Sequence, residues 1–92
     1  KIIFTPGHTP GHQSVMVKLP KTGHMLFTGD ACYTGDHWCD KCLPGLVASS
    51  TDAAESVKKL RKVAKEHDAK VVWGHDPVSW PGWKKAPMFY YD

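Results

Sequence analysis

Thr5-Pro6-Gly7-His8-Thr9-Pro10-Gly11-His12 is the stretch that decides how the rest of the sequence is read. Two prolines and two glycines in eight residues rule out a helix there, so both histidines sit on a stiff turn. Apolar runs flank this turn, Lys1-Ile2-Ile3-Phe4-Thr5 before it and Ser14 to Leu19 after it. A rigid histidine loop between two such runs suggests metal ligation. Thr28-Gly29-Asp30 and Gly74-His75-Asp76 have the same character, each placing ligand-type side chains beside a glycine at the end of an apolar run.

Working outward, the pattern predicts strands over 1–5, 14–19, 24–28 and 70–73, and one main helix over 52–67. Val15 and Val17 alternate with Met16, as on a pleated strand. Pro20-Lys21-Thr22-Gly23 is a turn signal that sends Met25-Leu26-Phe27-Thr28 back as a hairpin partner. In the helix, Asp52 and Glu55 resemble a capping box. Val57, Leu60, Val63 and Ala64 then recur at helical spacing, with Lys58, Lys59, Arg61, Lys62 and Lys65 on the other side. Residues 31–50 read as an irregular loop, and loops this long in small domains are usually functional. The tail from Pro77 reads as packed coil with a helical turn near Trp83 to Lys85. Fold class is therefore mixed α/β.

Ninety-two residues make one small domain or a part of a larger one. The sequence opens on Lys1 and enters a strand at once, which suggests a piece of a longer or processed protein. Hydrophobic content of 41% suffices for a core, and a net charge of +3 is too mild to argue for a nucleic-acid partner. No apolar run approaches the length of a membrane span. Cys32, Cys39 and Cys42 are an odd number and do not suit a disulfide framework, so the expected compartment is the cytoplasm. The sequence leaves the oligomeric state open.

A hydrolytic zinc site needs neutral imidazoles and carboxylates that leave one position for water. Where two metals share a carboxylate, that group also sets their separation. His12, Asp30 and His75 meet these demands from a rigid loop and two strand ends, and three ligands leave a binuclear site incomplete. His8 is expected to bond backbone within its loop, and His24, His37 and His67 to face solvent. Thr28 and Asp76 flank ligands and could support them. Trp73 reads as core. Trp38, Trp80, Trp83 and Phe89 suit either the wall of an apolar pocket or packing of the tail.

In this order around a helix, His-Thr-Pro-Gly-His, Thr-Gly-Asp and Gly-His-Asp resemble the C-terminal part of the metallo-β-lactamase superfamily. Asp30-Ala31-Cys32-Tyr33-Thr34 and the closing Lys85-Ala86-Pro87-Met88-Phe89-Tyr90-Tyr91-Asp92 resemble its N-acyl-homoserine lactonase branch, the quorum-quenching lactonases. The resemblance implies an αββα sandwich, of which residues 1–92 are the C-terminal portion of a single domain, and two divalent metals, as a rule zinc. It implies that His12 binds the first metal, Asp30 bridges both and His75 binds the second, with His8 the loop histidine that is not a ligand. It also implies that Tyr33 points at the substrate carbonyl or leaving oxygen, and that a metal-bridging hydroxide opens the lactone ring. The family's His-x-His-x-Asp-His motif is absent, so this chain alone is expected to be inactive.

Two other readings stand beside this one. A glyoxalase II-like thioester hydrolase shares the His12, Asp30 and His75 pattern. A zinc-stabilised interaction module could be built on the cluster from Cys32 to Cys42, where Cys39-Asp40-Lys41-Cys42 has the spacing of a zinc knuckle.

Overall fold

Four strands hydrogen-bond in the order β1-β2-β3-β4 in the computed structural model, which describes residues 1–40, 45–87 and 91–92. They are β1 (Ile2–Phe4), β2 (Gln13–Leu19), β3 (Gly23–Gly29) and β4 (Lys70–Trp73). The first three form an antiparallel meander, and β4 returns parallel to β3. Between β3 and β4 run a single helical turn, α1 (Gly35–Trp38), and the main helix, α2 (Ser50–His67). A 3-10 turn at Trp80–Gly82 follows β4. The four expected strands and the helix are all present, with no end displaced by more than two residues.

Strand alternation sorts the sheet into two unlike faces. Ile3, Met16 and Leu26 point toward α2, where Leu60 and Ala64 close the core together with Ala31. Leu26 and Leu60 have no exposed surface at all. On the other face, Ile2, Val15, Phe27 and Val72 lie in register across the four strands. That row is open to solvent over much of its length, with Ile2 64% and Phe27 41% exposed. Among the described residues, the tail covers one end of it. There Trp80, Trp83 and Tyr91 lean over Val17, Leu19 and Met25 and bound a cavity of about 330 Å³.

Three expectations are corrected. The cap of α2 is Ser49, whose side chain accepts from the Asp52 N–H at 3.2 Å. Ser49 is extended and can turn its hydroxyl onto the first turn, whereas Asp52 already lies inside the helix, where its charge suits the positive end of the dipole. Within the loop of 31–50, Thr34 caps α1 by accepting from the His37 N–H. The turn in the tail comes three residues earlier than expected, at Trp80–Gly82, because Pro81 occupies its first turn, where a missing N–H costs nothing.

The histidine loop is seated on the start of α2. Gly7 accepts from the backbone N–H groups of Ala48 at 2.8 Å and Ser49 at 3.0 Å, and the Ser56 hydroxyl donates to the Pro6 carbonyl at 2.6 Å. Gly7 has a φ of +141°, and a Cβ there would run into the backbone of Ala53. Both facts require glycine. Gly7→Ala should therefore destabilise the protein by about 1–3 kcal/mol or more, measured by urea melts of the protein that carries this segment. A wild-type midpoint would refute the seating.

Candidate metal centre

Because β3 and β4 are parallel, their C-terminal ends emerge side by side and carry Asp30 and His75 with them. Gly74 makes the approach possible, since a Cβ on it would overlap the Gly29 carbonyl oxygen. Gly29 itself turns the chain out of β3 with a φ of +56°. His75 Nε2 then reaches Asp30 Oδ1 at 2.8 Å.

The second carboxylate oxygen is met by the loop. His8 Nε2 lies 3.3 Å from Asp30 Oδ2, and His8 Nδ1 lies 3.1 Å from the Leu46 carbonyl. A carbonyl can only accept, so Nδ1 carries a proton. An imidazole that donates its far N–H to a backbone carbonyl has the tautomer and orientation that metal ligation uses. His12 meets the same condition. Its Nε2 accepts from the Asp30 N–H at 3.1 Å, and its Nδ1 sits 2.9 Å from the Thr5 hydroxyl and 3.2 Å from the Thr5 carbonyl.

Both loop histidines therefore meet Asp30, His8 at its carboxylate and His12 from the side of its backbone N–H. Alternation gives the reason. His12 has the parity of Ser14 and Met16, both buried on the helix-facing side, so its ring turns inward beneath the site. That parity was present in the sequence. The partner of His8, a carbonyl 38 residues away, was not.

Tyr33 stands between the two imidazoles that flank the carboxylate. Its ring centre is 4.7 Å from that of His75 and 5.9 Å from that of His8, and its hydroxyl is 3.3 Å from His8 Nδ1. His12, Asp30, Tyr33 and His75 are therefore brought together, with His8 added. Among the described residues, no group of three or more His, Cys, Asp or Glu side chains is arranged to hold a metal ion. The arrangement instead gives one imidazole nitrogen to each oxygen of a single carboxylate. This donor set suits a shared carboxylate between two ions, each needing further ligands.

The flanking residues support the backbone of the site. Thr28 Oγ1 donates to the Cys32 carbonyl at 2.9 Å. Asp76 accepts from the Val78 N–H at 3.0 Å and the Gly35 N–H at 3.1 Å, which ties the end of β4 to α1. The Val78 N–H, helped by Gly35 and Ser79, holds the Asp76 carboxyl below its usual range against the opposing effect of burial.

His37 is buried, not solvent-facing as expected. It is 2% exposed, and burial pushes its pKa down while Asp40 pulls it up. His24 and His67 are half-buried and pack together with ring centres 4.8 Å apart. Cys32 is buried and Cys39 exposed. Cys42, and with it the Cys39-x-x-Cys42 pair, lies outside the described residues, as does Phe89. Trp38 packs against the core, whereas Trp80 and Trp83 border the cavity on the open face.

The metallo-β-lactamase superfamily model matches residues 1–75. The chain is 59% identical over 88 residues to the N-acyl homoserine lactonase AttM of Rhizobium radiobacter, covering 96% of this chain and 34% of that protein. A crystal structure of a quorum-quenching N-acyl homoserine lactone lactonase superposes with a TM-score of 0.86 at 34% identity, over 94% of this chain and 35% of that one. An N-acyl homoserine lactone hydrolase with the product N-hexanoyl-L-homoserine bound at its catalytic metal centre also superposes at 0.86, with 32% identity, over 94% of this chain and 34% of that one. The chain spans about a third of the length of the curated relatives it matches. The mixed four-stranded sheet, the pairing of Asp30 with His75 at its edge and the match over residues 1–75 agree: this chain belongs to the metallo-β-lactamase superfamily.

Proposed function

We propose that this chain is the C-terminal portion of a metal-dependent hydrolase that opens the lactone ring of N-acyl homoserine lactones. One observation carries the reading. The Asp30 carboxylate has a histidine nitrogen at each oxygen, 2.8 Å from His75 and 3.3 Å from His8, with the Tyr33 phenol between those rings. The lactonases this chain resembles support the substrate class, and the catalytic metal centre of one of them supports the cofactor. Histidine and carboxylate donors suit two divalent ions, zinc first among them.

His12, Asp30 and His75 are the residues of this chain that would hold the ions, with the remaining ligands supplied from outside it. Bound there, such ions lower the pKa of water toward about 7 and polarise an ester carbonyl. His12 approaches from beneath, its Nε2 turned to the Asp30 N–H, and His8 stands at the carboxylate without being a ligand. Tyr33 directs its hydroxyl into the site, where it donates to the substrate oxygen on which negative charge develops. Hydrolysis adds water across the ester C–O bond and leaves a hydroxyl, a carboxylate and a proton. The odd number of cysteines, which does not suit a disulfide framework, supports a reducing compartment, the cytoplasm.

Acid release by the metal-loaded full-length protein tests the activity, with acyl-homoserine lactones and a glutathione thioester supplied in turn. Lactone turnover should vanish in Asp30→Ala and fall about tenfold or more in Tyr33→Phe, the cost of one hydrogen bond to a charged oxygen. Thioester turnover without lactone turnover would keep the metal site and overturn the substrate.

Metal analysis separates the two loop histidines. His12→Ala should lose bound metal, whereas His8→Ala should keep most of it; the reverse result would make His8 the ligand. Blocking the thiols should leave metal content unchanged, and a loss would favour the cysteine module.

The open sheet face bears on the isolated 92-residue chain. With Ile2, Phe4, Val15, Val17 and Phe27 all exposed, this piece should self-associate and show no activity. A monomeric, cooperatively melting and active preparation would refute the proposal that it is one portion of a domain.

A further inference from the structure

Tyr33 is gripped by its backbone from both sides. Its carbonyl accepts from the His75 N–H at 2.9 Å, and its own N–H donates to Nδ1 of His37 at 3.2 Å. The first contact belongs to the strand end that carries His75. The second is made by a side chain that the proposed mechanism does not use. His37 is 2% exposed, and its ring meets that of Tyr33 edge-on, with centres 6.5 Å apart and planes at 84°.

The hydrogen-bond inventory fixes the state of this ring. A nitrogen that accepts a backbone N–H must present a lone pair, so Nδ1 is unprotonated and the proton of the neutral imidazole sits on Nε2. Nε2 has no partner among the described residues. A buried donor left without an acceptor costs stability, and an apolar side chain would avoid that cost. The imidazole supplies something an apolar side chain cannot: an acceptor under the Tyr33 N–H, where no strand of the described residues lies beside it.

His37 is itself well anchored. Its N–H donates to the Thr34 hydroxyl at 3.2 Å, at the start of α1. At the end of that turn, Arg61 of α2 donates to the Trp38 carbonyl at 2.9 Å and to Asp40 at 2.7 Å. A continuous set of contacts therefore runs from the main helix through α1 to the backbone of Tyr33.

We propose that His37 is the positioning residue for Tyr33: its Nδ1 holds the tyrosine backbone so that the hydroxyl is presented to the substrate oxygen beside Asp30. The proposal rests on the reading of Tyr33 as a hydrogen-bond donor in lactone hydrolysis. His37 touches no substrate, and its effect passes entirely through Tyr33.

The test uses the full-length, metal-loaded protein and lactone turnover, with His37→Leu, His37→Asn and Tyr33→Phe made singly and His37→Leu also combined with Tyr33→Phe. His37→Leu should lower kcat about tenfold or more with little change in KM or metal content, as expected when a reacting group is displaced by a fraction of an ångström. Asparagine places Oδ1 close to where Nδ1 stands, so His37→Asn should stay within about threefold of wild type. Once Tyr33 has lost its hydroxyl, His37→Leu should cost less than about twofold more, because coupled residues are not additive.

The proposal fails if His37→Leu keeps wild-type kcat while Tyr33→Phe loses it. It also fails if His37→Asn is as impaired as His37→Leu, or if the two losses multiply. Wild-type kcat in Tyr33→Phe would overturn the reading of Tyr33 itself. Should His37→Leu not fold, nitrogen-15 NMR of the wild-type imidazole decides: an Nε2–H tautomer supports the proposal and an Nδ1–H tautomer overturns it.

Discussion

The close backbone contact between Gly74 and the Gly29 carbonyl is the constraint on which the candidate site depends. A parallel strand pair delivers its two C-terminal ends to one edge of the sheet, but the distance between the exiting chains is set by what stands on them. With no Cβ at position 74, the chain after β4 lies against the chain after β3. Asp30 and His75 then meet at 2.8 Å without any long side chain having to bend toward the other. Ligands held by strand ends lose little freedom when they bind, so the sheet carries most of the cost of organising them.

Beneath that edge lies a layer of buried polar groups that the hydrophobic core alone would not require. Thr5, Ser14, Thr28 and His37 are all almost completely buried. The Thr5 hydroxyl is 2.9 Å from that of Ser14, which donates to the Thr28 carbonyl at 3.0 Å, and the same Thr5 hydroxyl meets His12 Nδ1. His12 passes the connection to the Asp30 N–H. Such networks stabilise little when complete and cost much when broken, so their effect is to fix geometry. Here the geometry fixed is that of one carboxylate. The orphaned Nε2 of His37 and Nε1 of Trp73 are the two places among the described residues where satisfaction falls short, and both lie beside the Tyr33 loop.

The fold was legible because its elements are strongly patterned. Leu60 and Ala64 recur on one helix face, and Met16 alternates with Val15 and Val17, so period and type could be assigned without tertiary knowledge. Asp30 and His75 could likewise be nominated, since each follows a glycine-terminated apolar run, whereas Tyr33 was nominated only by the resemblance of Asp30-Ala31-Cys32-Tyr33-Thr34 to the lactonases. The roles of His8 and His12 could not be settled by residue type, because both stand in the same Pro-Gly-His setting. What separates them is strand parity for His12 and a distant carbonyl for His8. His37 was misplaced for a related reason: a histidine in a polar, irregular stretch looks exposed until Arg61 is seen to draw that stretch onto α2. Contacts this far apart in sequence leave no local signal.

The two faces of the sheet and the incomplete ligand set point the same way. A sheet face bearing Ile2, Phe4, Val15, Val17 and Phe27 gains stability only when another layer covers it, since apolar area left in water contributes nothing. A carboxylate with one imidazole on each oxygen likewise reaches full coordination only when further donors arrive at the sheet edge. A second layer laid over the open face would stand beside that edge, so one packing event can satisfy both needs. The apolar contact would supply the larger share of the association energy, because the ligands alone would have to overcome the ordering cost of every segment that carries them. Packing would thus set the distances, and the metal-binding side chains would exploit a geometry already established by the sheet.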